Sequence, residues 1–330
     1  MAVGLTALAA FGGCQPVPPG PPEPIVESFA GPTMGTRYSV RYWGPCEASR
    51  PELQKLVDNR LAEINAAMST YDPESELSVF NQSDQTDWLE VSEELAKVVS
   101  FAINTAEATD GSFDPTVGPA VNLWGFGPDG RRKEPPSAEK IKTARDRVGY
   151  QHVAVRLDPP AIKKSRPDVY IDLSAVAKGY ASDSVRDLIA EHGASGCMVE
   201  IGGEIATLGD KPGGVAWRIG LEKPDSGGVQ RIVKLSGEAV ATSGDYRNFF
   251  KSGGVRYSHT IDPNTGRPVK HNLATVSVRS RSCMEADAFA TALLVMGPVR
   301  GYDWAEANGV AAVLVSRTDD GPKEQTTSHW

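Results

Sequence analysis

Residues 215–242 read VAWRIGLEKPDSGGVQRIVKLSGEAVAT. Three short apolar runs, 215–221, 231–235 and 239–242, are separated by turns carrying Gly, Pro and Asp, which predicts three strands in a meander. Helical patterns lie elsewhere. Residues 53–68 carry Leu53, Leu56, Val57, Leu61, Ile64 and Met68 at helical spacing, behind the Ser49-x-x-Glu52 start signal with Pro51. Ser92 opens a second helix with Leu95, Val98, Val99, Ala102, Ile103 and Ala106 on one face, ended by Asp110-Gly111. Further helices are predicted over 139–148, 178–192, 284–296 and 299–307, and strands over 36–43, 169–173, 197–201, 274–279 and 310–316. Strands and helices that come in runs predict an α+β fold, with mixed or antiparallel sheets packed against helices. No linker composition interrupts 29–316, so that span is expected to form one unit with two lobes. Residues 317–330 are polar and are expected to form a frayed tail.

The chain has 330 residues, 40% hydrophobic and 23% charged, with a formal net charge of −8. That length buries a sizeable core, and those values are ordinary for a globular chain. The acidic balance argues against a dedicated nucleic-acid binder, whose phosphate contacts need a basic surface. Residues 1–11, MAVGLTALAAF, are small and apolar and run into Gly12, Gly13 and Cys14. Such a run ending in small-small-Cys has the form of a bacterial lipoprotein signal, although no Lys or Arg precedes it and Phe11 stands where Leu is usual. Cys14 is then the lipidated first residue of the mature chain. Residues 15–24, QPVPPGPPEP, contain six prolines and are expected, with the residues up to 28, to hold the domain off a membrane as an extended spacer. Cys46, Cys197 and Cys283 remain, an odd number, so disulfides do not carry the fold.

Five polar clusters hold the chemistry. Residues 110–119, DGSFDPTVGP, follow a helix; they are a tight turn, or a loop whose amides and acid hold a ligand beside Trp124 and Phe126. Residues 172–180, DLSAVAKGY, take a strand end into a helix whose free N–H groups suit an anion, with Lys178 adding positive charge; Asp172 or Ser174 acting merely as a cap would explain it equally. Residues 200–204, EIGGE, break a strand at a di-glycine. Residues 257–266, YSHTIDPNTG, place His259 before a turn. In residues 285–292, EADAFATA, Asp287 and Thr291 are four apart and share a helix face. Their oxygens, with a backbone carbonyl, suit a hard octahedral Mg²⁺ and not Zn²⁺; an Asp–Thr contact within the helix is the plain alternative.

Taken in order with Met34-Gly35-Thr36, Ser69-Thr70-Tyr71 and Ser243-Gly244-Asp245-Tyr246, these clusters resemble the ApbE family, over nearly all of 29–316. The resemblance implies an FAD:protein FMN transferase, usually an exported bacterial lipoprotein, with FAD bound between two lobes beside Mg²⁺. It implies transfer of FMN to a Thr or Ser hydroxyl in a D-x-x-S/T-x-T motif, with release of AMP. The implied acceptors are flavin-bearing subunits of Nqr- and Rnf-type pumps and related exported electron-transfer proteins, and the implied place is the periplasmic face of a membrane. Carried over residue by residue, the FAD contacts fall on Met34, Tyr71, Ser112, Phe113, Asp114, Asp172, Lys178 and Ile261. The metal ligands fall on the Ala175 carbonyl, Asp287 and Thr291. One departure falls at Ala290, where some members have a second acid.

A Thr hydroxyl needs a base to become a nucleophile. His259 is the candidate, and Asp287 is a rival weakened by its place on the metal. Two other outcomes use the same residues: an FAD pyrophosphatase giving FMN and AMP, and a non-catalytic FAD-binding lipoprotein. The Asp287/Thr291 pair beside SHTIDP favours catalysis, since a binder needs no metal.

Overall fold

The computed structural model describes residues 25–330 apart from Ser226 and Arg247. Cys14 and the proline-rich stretch to 24 lie outside the described residues. The chain enters with the hairpin β1 (Glu27–Thr33) and β2 (Thr36–Trp43), joined by Met34 and Gly35 at φ 47° and 68°. Two central residues at positive φ match the twist of a tight hairpin. Because β1 already includes Glu27 and Ser28, the folded domain starts two residues before the expected end of the spacer.

Helix α1 (Arg50–Met68) starts as the sequence signals: the Glu52 carboxylate accepts hydrogen bonds from the Ser49 N–H (2.9 Å) and hydroxyl (2.6 Å). Then follow α2 (Glu76–Gln82), β3 (Leu89–Glu90), α3 (Glu93–Ala108), α4 (Gly118–Leu123) and α5 (Ala138–Arg145). The hairpin β4 (Val153–Leu157) and β5 (Pro160–Lys164) pairs with β3 in a three-stranded sheet. Helix α6 (Ala177–Glu191) leads into β6 (Gly196–Ile201) and β7 (Glu204–Leu208), then β8 (Trp217–Glu222), β9 (Val229–Leu235) and β10 (Ala239–Gly244). Two small hairpins follow, β11 (Phe249–Ser252) with β12 (Val255–Ser258) and β13 (Ile261–Asp262) with β14 (Arg267–Pro268). The chain finishes with β15 (Leu273–Ser280), α7 (Cys283–Met296), α8 (Arg300–Ala307), β16 (Ala311–Thr318) and β17 (Gly321–Thr326).

The fold is α+β, as expected. Eight strands form one antiparallel sheet in the order β1-β2-β6-β7-β10-β15-β16-β17. One core packs Val40, Leu53, Ile64, Val99, Ile171 and Val199 between one half of the sheet and α1, α3 and α6. A second packs Val276, Leu293, Leu294 and Leu314 between the other half and α7 and α8. Each fully buried side chain of this size contributes about 1.5–3 kcal/mol. These two cores are the two lobes, and helices α6 and α7 meet between them.

Three expectations are corrected. The 215–242 stretch is not a meander: β8 and β9 pair only with each other, while β10 leaves them for the large sheet between β7 and β15. Trp217, Ile219, Leu221, Val233 and Leu235 give the β8–β9 hairpin its own small core, which lets it stand apart. Residues 169–173 form no strand. Val169, Ile171 and Leu173 are buried in alternation, but Ile171 exchanges both backbone hydrogen bonds with the Asn81 side chain of α2 (2.7 and 2.8 Å). The C-terminus is not frayed, because β17 pairs with β16 from Val313↔Thr326 to Thr318↔Gly321. Polar sequence is expected there, since β17 is an edge strand whose outer face meets water.

Thr327 fixes that end. Its buried hydroxyl donates to the Val310 carbonyl at 2.8 Å and accepts from the Ala312 N–H at 2.8 Å. Thr327→Val keeps the shape and strands both backbone groups, so urea unfolding is expected to show a loss of about 1–3 kcal/mol. A frayed tail would give no change.

Candidate active site

A cavity of about 1250 Å³ opens between the two lobes. Its wall includes all twelve positions singled out from the sequence between Met34 and Thr291, contributed by six separate segments. Met34 comes from the β1–β2 turn. Tyr71 follows the end of α1 and is 67% exposed. Ser112, Phe113 and Asp114 lie between α3 and α4. Asp172, Ala175 and Lys178 surround the start of α6. His259 and Ile261 follow β12, and Asp287 and Thr291 project from α7.

Local hydrogen bonding gives several of these residues a particular task. Both Asp114 oxygens are occupied: Oδ1 accepts from the Thr116 N–H (2.7 Å) and hydroxyl (2.6 Å), and Oδ2 from the Tyr150 N–H (3.0 Å). Burial raises its pKa and these donors pull the other way. Asp114 therefore shapes the loop, while the buried Ser112 hydroxyl beside it has no partner among the described residues. Phe113 and Ile261 are both largely apolar packing, in separate cores that meet the cavity. Asp172 Oδ1 accepts from the Ser174 N–H (2.9 Å) and hydroxyl (2.5 Å), closing a turn that delivers the chain to α6.

Neither Asp172 nor Ser174 caps α6. The helix begins at Val176 without a side-chain cap of its own. One of its first-turn amides, Gly179 N–H, donates instead to Asp287 Oδ2 at 3.1 Å, across the interface with α7. The helices approach closely enough because residue 179 has no side chain: a Cβ there would sit 2.4 Å from the Cys283 carbonyl oxygen. A carboxylate at the positive end of a helix dipole is favourably placed.

Lys178 Nζ lies 2.9 Å from Glu204 Oε1, 3.7 Å from Asp287 Oδ2 and 3.4 Å from the Ser174 carbonyl. Burial works against its charge, but the carboxylates of Asp287 and Glu204 outweigh burial and hold its pKa above the lysine range. Glu204 is pushed up to about 7, chiefly by burial, with Lys178 opposing the rise and Asp287 adding to it. Burial also raises Asp287, against the pull of Lys178 and the Gly179 amide. Sequence reasoning gave Glu204 no role. Its signal was the EIGGE cluster, where the glycines drew attention and the second Glu did not.

Thr291 Oγ1 is 2.9 Å from Ser243 Oγ, so the Ser243-Gly244-Asp245-Tyr246 cluster reaches the same wall. Asp287, Thr291 and Ala175 all line the cavity, and a donor set made of their oxygens would suit a hard divalent cation. Among the described residues, no three His, Cys, Asp or Glu side chains converge on a common metal site. Ala290 is fully buried in the second core and is not part of the cavity wall.

His259 is partly exposed at the cavity. Its Nδ1 lies 3.1 Å from the Asn248 carbonyl, which can only accept, so Nδ1 carries the proton and Nε2 is left as the basic nitrogen. Burial lowers its pKa, with the Asn248 carbonyl partly opposing. Burial thus favours the neutral imidazole, and Nε2 has no hydrogen-bond partner among the described residues. The Phe126 ring meets it edge-on, with centroids 6.3 Å apart.

The sequence pattern of the ApbE family matches residues 34–314. The FAD:protein FMN transferase of Vibrio cholerae serotype O1 is 44% identical over 331 residues, covering 99% of this chain and 97% of its own. The enzyme of the same name from Escherichia coli K12 is 36% identical over 325 residues, covering 97% and 93%. Among solved structures, the flavin transferase ApbE from Vibrio cholerae matches with a TM-score of 0.86 at 43% identity, covering 93% of this chain and 98% of that one. The apo flavinyl transferase ApbE from Pseudomonas stutzeri matches at 0.85 with 39% identity, covering 93% and 96%. With the family pattern spanning both lobes and the cavity between them, and relatives alike over almost their whole length, the chain belongs to the ApbE family.

Proposed function

We propose that this chain is an enzyme that transfers the FMN half of FAD to a Thr or Ser hydroxyl of a target protein and releases AMP. The observation that carries this is the convergence of all twelve positions on one cavity. At about 1250 Å³ the cavity exceeds the roughly 300–1,000 Å³ that holds drug-sized ligands, and so has room for an extended dinucleotide.

The reaction forms a phosphoester between the acceptor oxygen and the FMN phosphorus and breaks the pyrophosphate bond to AMP. His259 Nε2 takes the hydroxyl proton as the new bond forms. Lys178 supplies the positive charge facing the pyrophosphate; the expected row of free amides is not there, because the Val176 and Ala177 N–H groups donate to the Leu173 carbonyl and the Gly179 N–H to Asp287. A Mg²⁺ held by Asp287, Thr291 and the Ala175 carbonyl would supply Lewis-acid stabilisation of that charge. Asp287 is then a ligand that is already oriented, because the Gly179 amide fixes one of its oxygens. His259 is the better base of the two, since Nδ1 bonds the Asn248 carbonyl and Nε2 has no hydrogen-bond partner among the described residues.

The proposed acceptors carry a D-x-x-S/T-x-T motif in flavin-bearing subunits of Nqr- and Rnf-type or related exported systems. The apolar run before Cys14 and the prolines after it support anchoring through a lipidated Cys14 at the periplasmic face of a membrane. No helix among the described residues is long and apolar enough to cross a membrane.

AMP release from FAD, followed by chromatography with acceptor peptide and Mg²⁺ present, tests the metal assignment. Asp287→Ala is expected to abolish Mg²⁺-dependent release while retaining at least part of FAD binding; unchanged release would remove Asp287 from the site. His259→Gln is expected to slow transfer roughly 10²–10⁴-fold with FAD affinity retained. In the wild type, activity should rise with pH through a value below the ordinary imidazole pKa of about 6.5, as the neutral base form appears. That acidic limb should vanish in the variant, and an unaltered pH profile would remove His259 as the base.

A further inference from the structure

Glu204 is the first residue of β7, directly after the Gly202-Gly203 turn, and is 5% exposed. Its Oε1 takes the Lys178 ammonium. Its Oε2 is buried at the cavity wall and has no hydrogen-bond partner among the described residues. A buried, unpartnered carboxylate oxygen on a residue that lines a cavity calls for a donor from whatever the cavity binds. The turn before it keeps that approach clear. Gly202 has φ +65°, and a Cβ there would sit 3.3 Å from Glu204 Oε2 and 3.1 Å from Thr36 Cγ2.

The charges around this oxygen select the donor. Glu204 and Asp287 place two carboxyl groups around a single ammonium, so whenever both are ionised one negative charge goes unmatched. An incoming cation corrects that imbalance and a neutral sugar hydroxyl does not. Because the same Lys178 Nζ is 3.7 Å from Asp287 Oδ2, a cation held by Asp287 is a close neighbour of Glu204. Mg²⁺ is reluctant to dehydrate and keeps several waters, each a hydrogen-bond donor.

We propose that Glu204 is an outer-sphere carboxylate of the divalent-cation site: Oε2 accepts a hydrogen bond from water carried by the cation, while Oε1 keeps Lys178 beside Asp287. The inference rests on the assignment of Asp287 and Thr291 as metal ligands. Groups that orient metal ligands in this way typically change affinity by 10–100-fold when removed. Glu204 is a positioning residue, since it touches neither the phosphorus nor the acceptor oxygen.

The test is binding of Mn²⁺ alone to the FAD-free protein, with free Mn²⁺ read by electron paramagnetic resonance and folding checked by thermal melting. Glu204→Gln is expected to weaken Mn²⁺ binding at least tenfold. Glu204→Asp keeps the charge but shortens the reach, and it should weaken binding as well. Lys178→Met removes the competing cation and should leave Mn²⁺ binding as tight as in wild type or tighter. Adding Glu204→Gln to Lys178→Met should again cost about tenfold. Glu204→Gln binding within twofold of wild type would overturn the proposal. So would a double variant that binds like Lys178→Met, because Glu204 would then act only through the lysine. Asp287→Ala separates the layers: if it abolishes binding while the Glu204 variants do not weaken it, only the outer-sphere role falls. If Asp287→Ala binds like wild type, the metal assignment and the Glu204 role fall together.

Discussion

The contact between α6 and α7 at Gly179 is the constraint on which the rest of the site depends. Two helix backbones meet there with no side chain between them, since a Cβ would lie 2.4 Å from the Cys283 carbonyl oxygen. This closeness lets Asp287, rooted in the second lobe, cap the first turn of a helix rooted in the first. It also brings Lys178 between Asp287 and Glu204. The seam between the lobes and the charged centre of the cavity are therefore one construction. Moving the helices apart would uncap α6, strand a buried carboxylate and displace the lysine together.

The loops around this seam are ordered by polar side chains working locally. Asp114 binds the amide and hydroxyl of Thr116 in its own loop and the Tyr150 amide; Asp172 closes the turn into α6; Asn81 stands in for a missing strand beside Ile171. Each carries a ligand-facing segment on a fixed backbone without extending a sheet into the cavity. Preorganisation of this kind is what a transfer reaction needs, since the acceptor oxygen and the phosphorus must meet in line.

Much of this was legible in the sequence, and the failures have physical causes. Residues 36–43 were readable as a strand with its observed bounds because Tyr38, Val40 and Tyr42 face the core and the alternate residues do not. The Ser49–Glu52 start of α1 and the Asp287–Thr291 face of α7 were readable because their spacing is set within one helix. Partnership was not readable. Nothing local in 215–242 says that β10 joins β7 and β15 while β8 and β9 stay apart, and nothing in 169–173 says that a side-chain amide replaces a neighbouring strand. The last residues look like a tail because an edge strand needs little apolar surface. Glu204 was hidden for a related reason: its importance comes from Lys178 and Asp287, which reach it from two other elements.

The central claim is that this cavity moves a flavin onto a protein, and not merely that it binds or cleaves FAD. The most direct measurement is intact-mass spectrometry of a D-x-x-S/T-x-T peptide after incubation with the purified protein, FAD and Mg²⁺. The account predicts a peptide heavier by one FMN, with the new bond on the Ser or Thr hydroxyl and an equal amount of AMP released. FMN and AMP accumulating beside an unmodified peptide and an unmodified natural acceptor subunit would contradict it, as would FAD that stays intact and bound.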